Sequence, residues 1–179
     1  MPDNKLKINS LLPEFHLPGT DGNMYSSDSL SNKEILIVIF SCNHCPYVQA
    51  YEQRIIELQN EFNENSVQFI AISSNDASKY PEDSFDEMKK RAESKNFNFP
   101  YLYDQSQEIA KVFGATHTPQ VFLFNSEKKL KYEGKIDDNW QEPELVNSRY
   151  LRDAILEVLD RKDVSVPETF SIGCTIKWK

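Results

Sequence analysis

Cysteine is scarce in this sequence, and long apolar runs are absent. Three cysteines among 179 residues are too few for a disulfide scaffold. The longest apolar run, 35–40, is far too short to span a lipid bilayer. The opening residues show no apolar run behind a basic segment, so we expect no secretory signal and a cytoplasmic protein. In a reducing compartment, a close pair of cysteines is typical of a catalytic or metal-binding site.

Positive charge is also in short supply. The chain has 20 Lys and Arg residues against 28 Asp and Glu, which gives a formal net charge of −8 and a pI near 4.9. Such a surface repels phosphate backbones and anionic lipids, so we expect neither nucleic-acid nor membrane binding. No internal repeat or Pro/Gly/Ser-rich linker divides the sequence. Its length and its hydrophobic content of 39% therefore predict one globular domain, residues 1–179.

The first part of the chain contains the signals of a hairpin and of a strand–helix–strand unit. In the N-terminal extension, 1–30, two short extended pieces flank a Gly-containing loop, which predicts a β-hairpin. The β-branched and aromatic run 35–40 is typical of a strand buried on both faces. Apolar residues at helical spacing then indicate a helix that begins at about Pro46. The segment 67–73 is predicted to be a second buried strand.

The second part predicts further alternation of helices and strands. Helical patterns cover 85–95, 105–113 and 151–159, and two strands at 120–125 and 130–134 are predicted to form an antiparallel hairpin. The C-terminal tail, 164–179, is expected to be irregular. This order predicts an α/β fold in which helices pack on both faces of a sheet.

Cys42 and Cys45 lie at the predicted junction between the first buried strand and the helix. The free N–H groups and the positive end of a helix dipole favour a thiolate there, and the thiolate is the nucleophilic form of cysteine. We therefore expect Cys42 to attack a disulfide and Cys45 to resolve the mixed disulfide. His44 lies between them, where its ring would stabilise the thiolate unless it is a solvent-exposed turn residue without that role.

Two other interpretations of the cysteine pair remain open. Cys42 and Cys45 are also half of a zinc site, but the remaining candidate ligands are dispersed in sequence at Cys174, His16, His44 and His117. We therefore expect no metal, although a zinc- or partner-binding module stays an alternative. The pair could also be two inert core residues, but burial alone does not require C-x-x-C-Pro at a helix start.

A second signal is the pair Thr118-Pro119, which directly precedes the strand 120–125. A proline that opens a strand often has a special backbone geometry, including the cis bond available to X–Pro. An ordinary proline at a strand start gives the same pattern, so this signal is weak when taken alone.

Together these features resemble the thioredoxin superfamily: CNHC before a helix, a β-α-β unit, then Thr118-Pro119 before a β-hairpin and a closing helix. The segment LLPEFHLPGTDGNMYSSDSL resembles the opening of its redoxin branch, which includes alkyl-hydroperoxide-reductase-like, thiol-specific-antioxidant and peroxiredoxin-like proteins. The segments that resemble one bacterial group within that branch are FSCNHCPYV, ISSNDASKYPEDS, FPYLYDQSQEIAKVFGA and SIGCTIKW.

The resemblance implies a thioredoxin-like fold with a central mixed β-sheet, helices on both faces and an N-terminal hairpin extension. It implies that Cys42 is exposed at a helix N-terminus and that Pro119 is cis and lies against the dithiol. The backbone of Thr118 is then expected to pair with an extended substrate segment. The implied activity is thiol–disulfide exchange without a metal or organic cofactor, between a disulfide-bearing protein or small thiol and an unidentified electron donor.

The sequence also departs from the family patterns. Ser41 stands where thioredoxins have Trp, and Asn43-His44 replaces Gly-Pro between the thiols. The strand 35–40 lacks the buried acid of thioredoxins, so proton transfer to Cys45 must go through water or another group. The peroxiredoxin motif Pro-x-x-x-Thr-x-x-Cys is absent, which weighs against a thiol peroxidase, the main alternative function. His117 occupies a position where this group often has Cys, either as an acid/base neighbour or as a surface replacement.

Cys174 lies far along the chain in the tail. It is either an auxiliary thiol that the tail brings back to the dithiol, or a small hydrophobe buried near Ile172, Ile176 and Trp178. The sequence alone favours the second interpretation, because sequence distance from Cys42 says nothing about distance in space.

Overall fold

The computed structural model describes residues 5–179. Within these residues the chain forms, in order, β1 (His16–Pro18), β2 (Met24–Ser26), β3 (Ile35–Ser41), α1 (Pro46–Glu61), β4 (Val67–Ser73), α2 (Phe85–Ser94), β5 (Tyr101–Tyr103), α3 (Glu108–Phe113), β6 (His117–Thr118), β7 (Gln120–Phe124), β8 (Leu130–Gly134), α4 (Tyr150–Leu159) and β9 (Cys174–Thr175). None of the helices in this part of the chain has the length and apolar character needed to cross a membrane.

The central sheet has five strands in the order β5-β4-β3-β7-β8. β3 is parallel to β4, and β4 is parallel to β5, whereas β7 is antiparallel to both β3 and β8. Every residue of β3 is buried, because the strand has neighbours on both edges and is covered on both faces. This position explains the continuous apolar run in the sequence and confirms the predicted mixed sheet.

The two faces of the sheet are covered by different elements. Ile35, Ile37 and Ile39 point into a layer formed with α1, α2 and α4. Their neighbours Leu36, Val38 and Phe40 point to the other face, against α3 and the N-terminal segment. Each such side chain contributes about 1.5–3 kcal/mol by leaving water. Helices therefore lie on both faces, as the sequence predicts.

The N-terminal hairpin is present in the structure. β1 and β2 pair antiparallel, and Phe15 and Leu17 pack into the second core layer. Gly22 has a φ of +87°, a left-handed conformation that favours glycine in the connecting loop. Residues 1–4 of the predicted N-terminal extension lie outside the described residues.

Three features differ from the sequence-based expectations. The short strand β5 was not predicted, since three residues carry too little pattern to identify. The helix expected at 105–113 begins only at Glu108, because Gln107 adopts a φ of 67° and the Asp104 carboxylate accepts the N–H of Ala110 at 3.0 Å. The tail is not wholly irregular: β9 pairs antiparallel with β6, a long-range pairing that local sequence does not reveal.

Candidate active site

The two cysteines of the motif lie between β3 and α1. Ser41 ends the strand and Pro46 opens the helix, so the loop is only four residues long. Cys45 is the N-cap of α1, with an extended backbone (φ −75°, ψ 121°). Both cysteines are free thiols, and their exposed fractions are 1% for Cys42 and 0% for Cys45. The exposed Cys42 implied by the family resemblance is therefore not observed.

The Thr118-Pro119 peptide bond is cis and lies beside these thiols. The Sγ of Cys42 is 3.6 Å from the hydroxyl oxygen of Thr118, and the Sγ of Cys45 is 3.4 Å from the Thr118 carbonyl oxygen. Both the cis bond and its proximity to the dithiol are as the resemblance implies. Thr118 therefore contacts both sulfur atoms at once.

The surroundings of the two thiols favour a negative charge on Cys45. A hydrogen bond from the Cys42 thiol, together with a thiol hydrogen bond from Cys174 and the backbone N–H of Val48, lowers the pKa of Cys45 to about 4 despite its burial. Donating that hydrogen bond, burial and the nearby charge of Asp83 raise the pKa of Cys42. Cys45 is the N-cap residue of α1, whereas Cys42 lies before it in the loop. These pKa directions are opposite to the sequence-based argument, which expects the helix start to favour a thiolate on Cys42.

A buried carboxylate, Asp83, lies on the Cys42 side of the pair. It forms an ion pair with the Nδ1 of His44 when that imidazole is protonated. Its oxygens also accept hydrogen bonds from the backbone N–H of Asn43 at 2.7 Å and from the side chain of Asn75 at 2.8 Å. His44 is 28% exposed and stacks on the ring of Tyr80. His44 is therefore oriented by a buried acid and is not a free turn residue.

Sequence reasoning missed Asp83. It belongs to the 3₁₀ turn Pro81–Asp83 that follows β4. A signal was available, because β3 and β4 are parallel, and residues that follow their carboxyl ends meet at the same edge of the sheet. The buried acid that thioredoxins carry on the strand before the dithiol is absent here, but an acid from a different element lies near the same thiols.

Further hydrogen bonds fix the loop between the cysteines. The Asn43 side chain accepts from the hydroxyl of Tyr101 at 2.9 Å and donates to the carbonyl of Glu82 at 2.9 Å. Its backbone carbonyl accepts from the side chain of Gln49 at 2.9 Å. Asn43 is consequently buried with all these groups paired, so the loop has little freedom to rearrange.

The C-terminal tail brings Cys174 to the dithiol. β9 places Cys174 opposite Thr118, and its side chain packs with Cys42, Cys45 and Val48. Burial and its hydrogen bond to Cys45 raise the pKa of Cys174 to about 11. The sequence favoured a Cys174 buried near Ile172, Ile176 and Trp178. That interpretation is wrong about the neighbours of Cys174, since Ile172 and Trp178 are exposed.

His117 is not brought to the dithiol. Its side chain is partly exposed, and its Nδ1 lies 2.8 Å from the hydroxyl of Thr116. Because alternate residues of a strand point to opposite faces, the contact of Thr118 with the thiols turns His117 away from them. This position supports the interpretation of His117 as a surface replacement.

The structure also bears on the metal alternative. Ligand atoms of Cys42, His44 and Asp83 lie within 4.8 Å of one another, so His44 meets Cys42 in space although the candidate ligands are dispersed in sequence. His44 and Asp83 also form an ion pair with each other. Each oxygen of Asp83 accepts an N–H donor, from Asn43 and from Asn75, and these donors compete with a metal for the carboxylate.

Comparison with known proteins identifies the family. The model of the Redoxin family matches residues 7–148. The chain belongs to the redoxin family. No curated protein matches the sequence. This redoxin is 37% identical to an uncharacterized conserved protein from Geobacillus kaustophilus, with a TM-score of 0.91 over 98% of this chain and 94% of that chain.

Two further solved structures are similar to this redoxin. A hypothetical protein from Sinorhizobium meliloti is 32% identical, with a TM-score of 0.91 over 98% of this chain and 96% of the other. The thioredoxin domain of a thiol-disulfide oxidoreductase from Bacteroides vulgatus is 16% identical, with a TM-score of 0.60 over 70% of this chain and 86% of that one. The last likeness concerns the fold, which is thioredoxin-like.

Proposed function

We propose that this redoxin is a thiol–disulfide oxidoreductase whose redox couple is Cys42 and Cys45. The observation that carries the proposal is the pair of buried thiols at the start of α1, both in contact with Thr118 beside a cis proline. Thioredoxin-superfamily membership supports redox chemistry in general, and the paired thiols support this particular reaction. The thiols carry both electrons themselves, so the proposed reaction uses no metal or organic cofactor.

In the proposed reaction, the proton shared by the two thiols first moves from Cys42 to Cys45. The Cys42 thiolate attacks one sulfur of the substrate disulfide, forms a mixed disulfide and releases the other half as a thiolate. Cys45 gives up its proton and attacks the Cys42 sulfur, which forms the Cys42–Cys45 disulfide and releases the second half. Two electrons and the one proton of the pair have then passed to the substrate, and the second product thiolate takes its proton from solvent. His44 and Asp83 lie beside Cys42, where they can hold a proton during exchange.

The burial of the site supports a small substrate. Cys42 is only 1% exposed, and β9 occupies the edge of β6 at which an extended protein segment would pair with Thr118. A small disulfide or thiol needs no such pairing. The acidic net charge weighs against nucleic-acid partners, and a reducing, cytoplasmic compartment suits a dithiol that has to be returned to its reduced form after each exchange.

Trapping of the mixed disulfide tests the assignment of roles. We expect Cys45→Ser, treated with oxidised glutathione, to accumulate a glutathione adduct that peptide mapping places on Cys42. Cys42→Ser is the matched control and should form no adduct at position 42. The proposal fails if wild-type protein, titrated with glutathione redox buffers, never forms the Cys42–Cys45 disulfide.

A thiol peroxidase is the second candidate, because a closed site with a buried thiol also admits a small oxidant. In that reaction the Cys42 thiolate takes an oxygen from a peroxide to form a sulfenic acid and an alcohol, and Cys45 condenses with it to give the disulfide and water. Stopped-flow oxidation of the reduced protein decides between the two. We expect a rate with peroxide no faster than that of an ordinary thiol, and a much faster rate would favour the peroxidase.

A further inference from the structure

The C-terminal strand lies where a substrate segment would be expected to bind. β9 pairs antiparallel with β6, so that Cys174 is opposite Thr118 and Thr175 is opposite His117. The preceding residue, Gly173, packs directly on the cis-proline segment. A Cβ atom at this position would lie 1.9 Å from the carbonyl oxygen of Thr118. The chain thus supplies its own strand at the edge beside the dithiol.

Residues after Cys174 anchor this strand to the domain. Ile176 is 3% exposed in the second core layer, and its N–H donates to the carbonyl of Thr116 at 2.9 Å. The carbonyl of Lys177 accepts from the backbone N–H of Asp76 at 2.8 Å, and its N–H donates to the side chain of Asn75 at 2.9 Å. Cys174 is therefore held beside the thiols by structure on both sides of it.

The three thiols differ in their access to solvent. Cys42 and Cys45 are buried, whereas Cys174 is partly exposed. Cys42 and Cys174 both pack in the cluster that contains Cys45, and both are near enough to affect its pKa. A disulfide on Cys45 can consequently have either neighbour as its partner, and exchange between the two partners needs only small movements of side chains already in contact.

We propose that Cys174 is a third redox thiol, which receives the disulfide from the Cys42–Cys45 couple and presents it to the electron donor. This inference rests on the proposed function and deepens it. A small substrate oxidises the couple at Cys42, and the donor reduces the protein at Cys174. The two half-reactions then occur at different sulfur atoms of one site.

Transfer of the disulfide to Cys174 requires no further oxidant. The Cys174 thiolate attacks the Cys45 sulfur of the Cys42–Cys45 disulfide, the S–S bond to Cys42 breaks, and the proton lost by Cys174 ends on Cys42. A donor thiol then attacks the partly exposed Cys174 sulfur and releases Cys45 as a thiolate. A second donor thiol attacks the mixed disulfide, which gives a donor disulfide and a Cys174 thiol. Two electrons have passed from the donor to the protein.

Disulfide mapping tests the inference. In Cys42→Ser, mild oxidation with diamide should join Cys45 to Cys174 within one chain, with the loss of two hydrogen atoms in the intact mass and of both free thiols in denaturant. Two free thiols that persist, or only adducts and intermolecular dimers, would overturn it. Cys174→Ser is the control for the proposed function, since it should still form the Cys42–Cys45 disulfide. Failure of that control rejects the couple itself, whereas failure in Cys42→Ser alone rejects only the role of Cys174.

A kinetic measurement supplies a second readout. The oxidised protein should be reduced by glutathione roughly tenfold or more slowly in Cys174→Ser than in wild type, because a thiol then has to reach a buried sulfur. An equal rate in the two proteins would contradict the role of Cys174 as the sulfur that the donor attacks.

Discussion

The dithiol lies between two coverings that differ in kind. On the Cys42 side, polar side chains from the body of the domain meet around Asp83, which accepts N–H groups and contacts His44. On the Cys45 side, the backbone of the C-terminal strand packs on Thr118 and brings a third thiol. The polar side chains around Asp83 act on the charge and the proton of Cys42. The C-terminal strand limits which molecules can reach the sulfur atoms.

The two coverings also share a residue. Asn75 donates to Asp83 with its side-chain nitrogen and accepts from Lys177 with its side-chain oxygen. A substitution on one side can therefore alter the other side through Asn75, so its effect has to be compared with that of a nearby control substitution.

The largest effect on stability is expected from Asp83→Asn, which removes the buried charge on the Cys42 side of the dithiol. The substitution leaves His44 without its buried partner and directs a new amide group towards donors that Asp83 satisfied. Loss of one member of a buried pair costs about 3–5 kcal/mol. We expect urea unfolding of the reduced protein to show a decrease of that size. Glu82→Gln, at an exposed neighbouring acid, should change stability by less than about 0.5 kcal/mol. Equal stability of the two variants would show that Asp83 does not hold this side together.

Gly173→Ala is expected to displace the C-terminal strand on the Cys45 side of the dithiol. The added Cβ meets the Thr118 carbonyl, which belongs to the backbone and cannot rotate away. Overpacking of this kind costs about 1–3 kcal/mol, and displacement of the strand relieves it. We expect Cys42 and Cys45 to react faster with a bulky alkylating reagent than in wild type. Phe170→Ala is the control, because Phe170 is 93% exposed and its loss should leave the rate unchanged. Unchanged reactivity in Gly173→Ala would mean that the strand does not control access.

The pH dependence of the reduced protein sharpens the assignment of charge. The pKa of Cys45 is lowered to about 4, against about 8.5 in an unfolded chain. Its stabilising contribution is therefore complete above the unfolded value and is lost as pH falls towards 4. Cys42, with a raised pKa, is protonated in both states over that window and does not oppose the trend.

The ultraviolet absorbance of the thiolate follows this titration directly. We expect a thiolate signal in the reduced protein that disappears near pH 4, persists in Cys174→Ser and is missing in Cys45→Ser. A single titration near 8.5 would contradict the low pKa of Cys45.

The smallest effect is expected from His44→Gln. Asp83 keeps the hydrogen bonds from Asn43 and Asn75 when His44 is removed, and His44 is itself partly exposed. We therefore expect a stability loss of about 1 kcal/mol, well below that of Asp83→Asn. A loss as large as that of Asp83→Asn would show that the ion pair, and not the N–H donors, accounts for the stabilising role of Asp83.

Much of the fold could be predicted because its signals are local. The β3 run, the helical spacing after Pro46 and the hairpin at 120–134 each appear in short stretches of sequence, and the structure has all three. The dithiol and Thr118-Pro119 were also identifiable as motifs. Asp83 was missed, although the predicted strand–helix–strand unit places residues that follow β3 and β4 at the same edge of the sheet. Cys174 could not be placed at all, because its proximity to the thiols depends on the pairing of β6 with β9, which local pattern does not reveal.

The reduction potential of the Cys42–Cys45 couple tests the central claim most directly. It is measured in Cys174→Ser, equilibrated with glutathione buffers and quantified by mass spectrometry of the alkylated protein. A thiolate of low pKa stabilises the reduced form, so the couple should be more oxidising than thioredoxin, with a single two-electron transition less negative than about −200 mV. The absence of a transition, or a value at or below about −270 mV, would contradict this account.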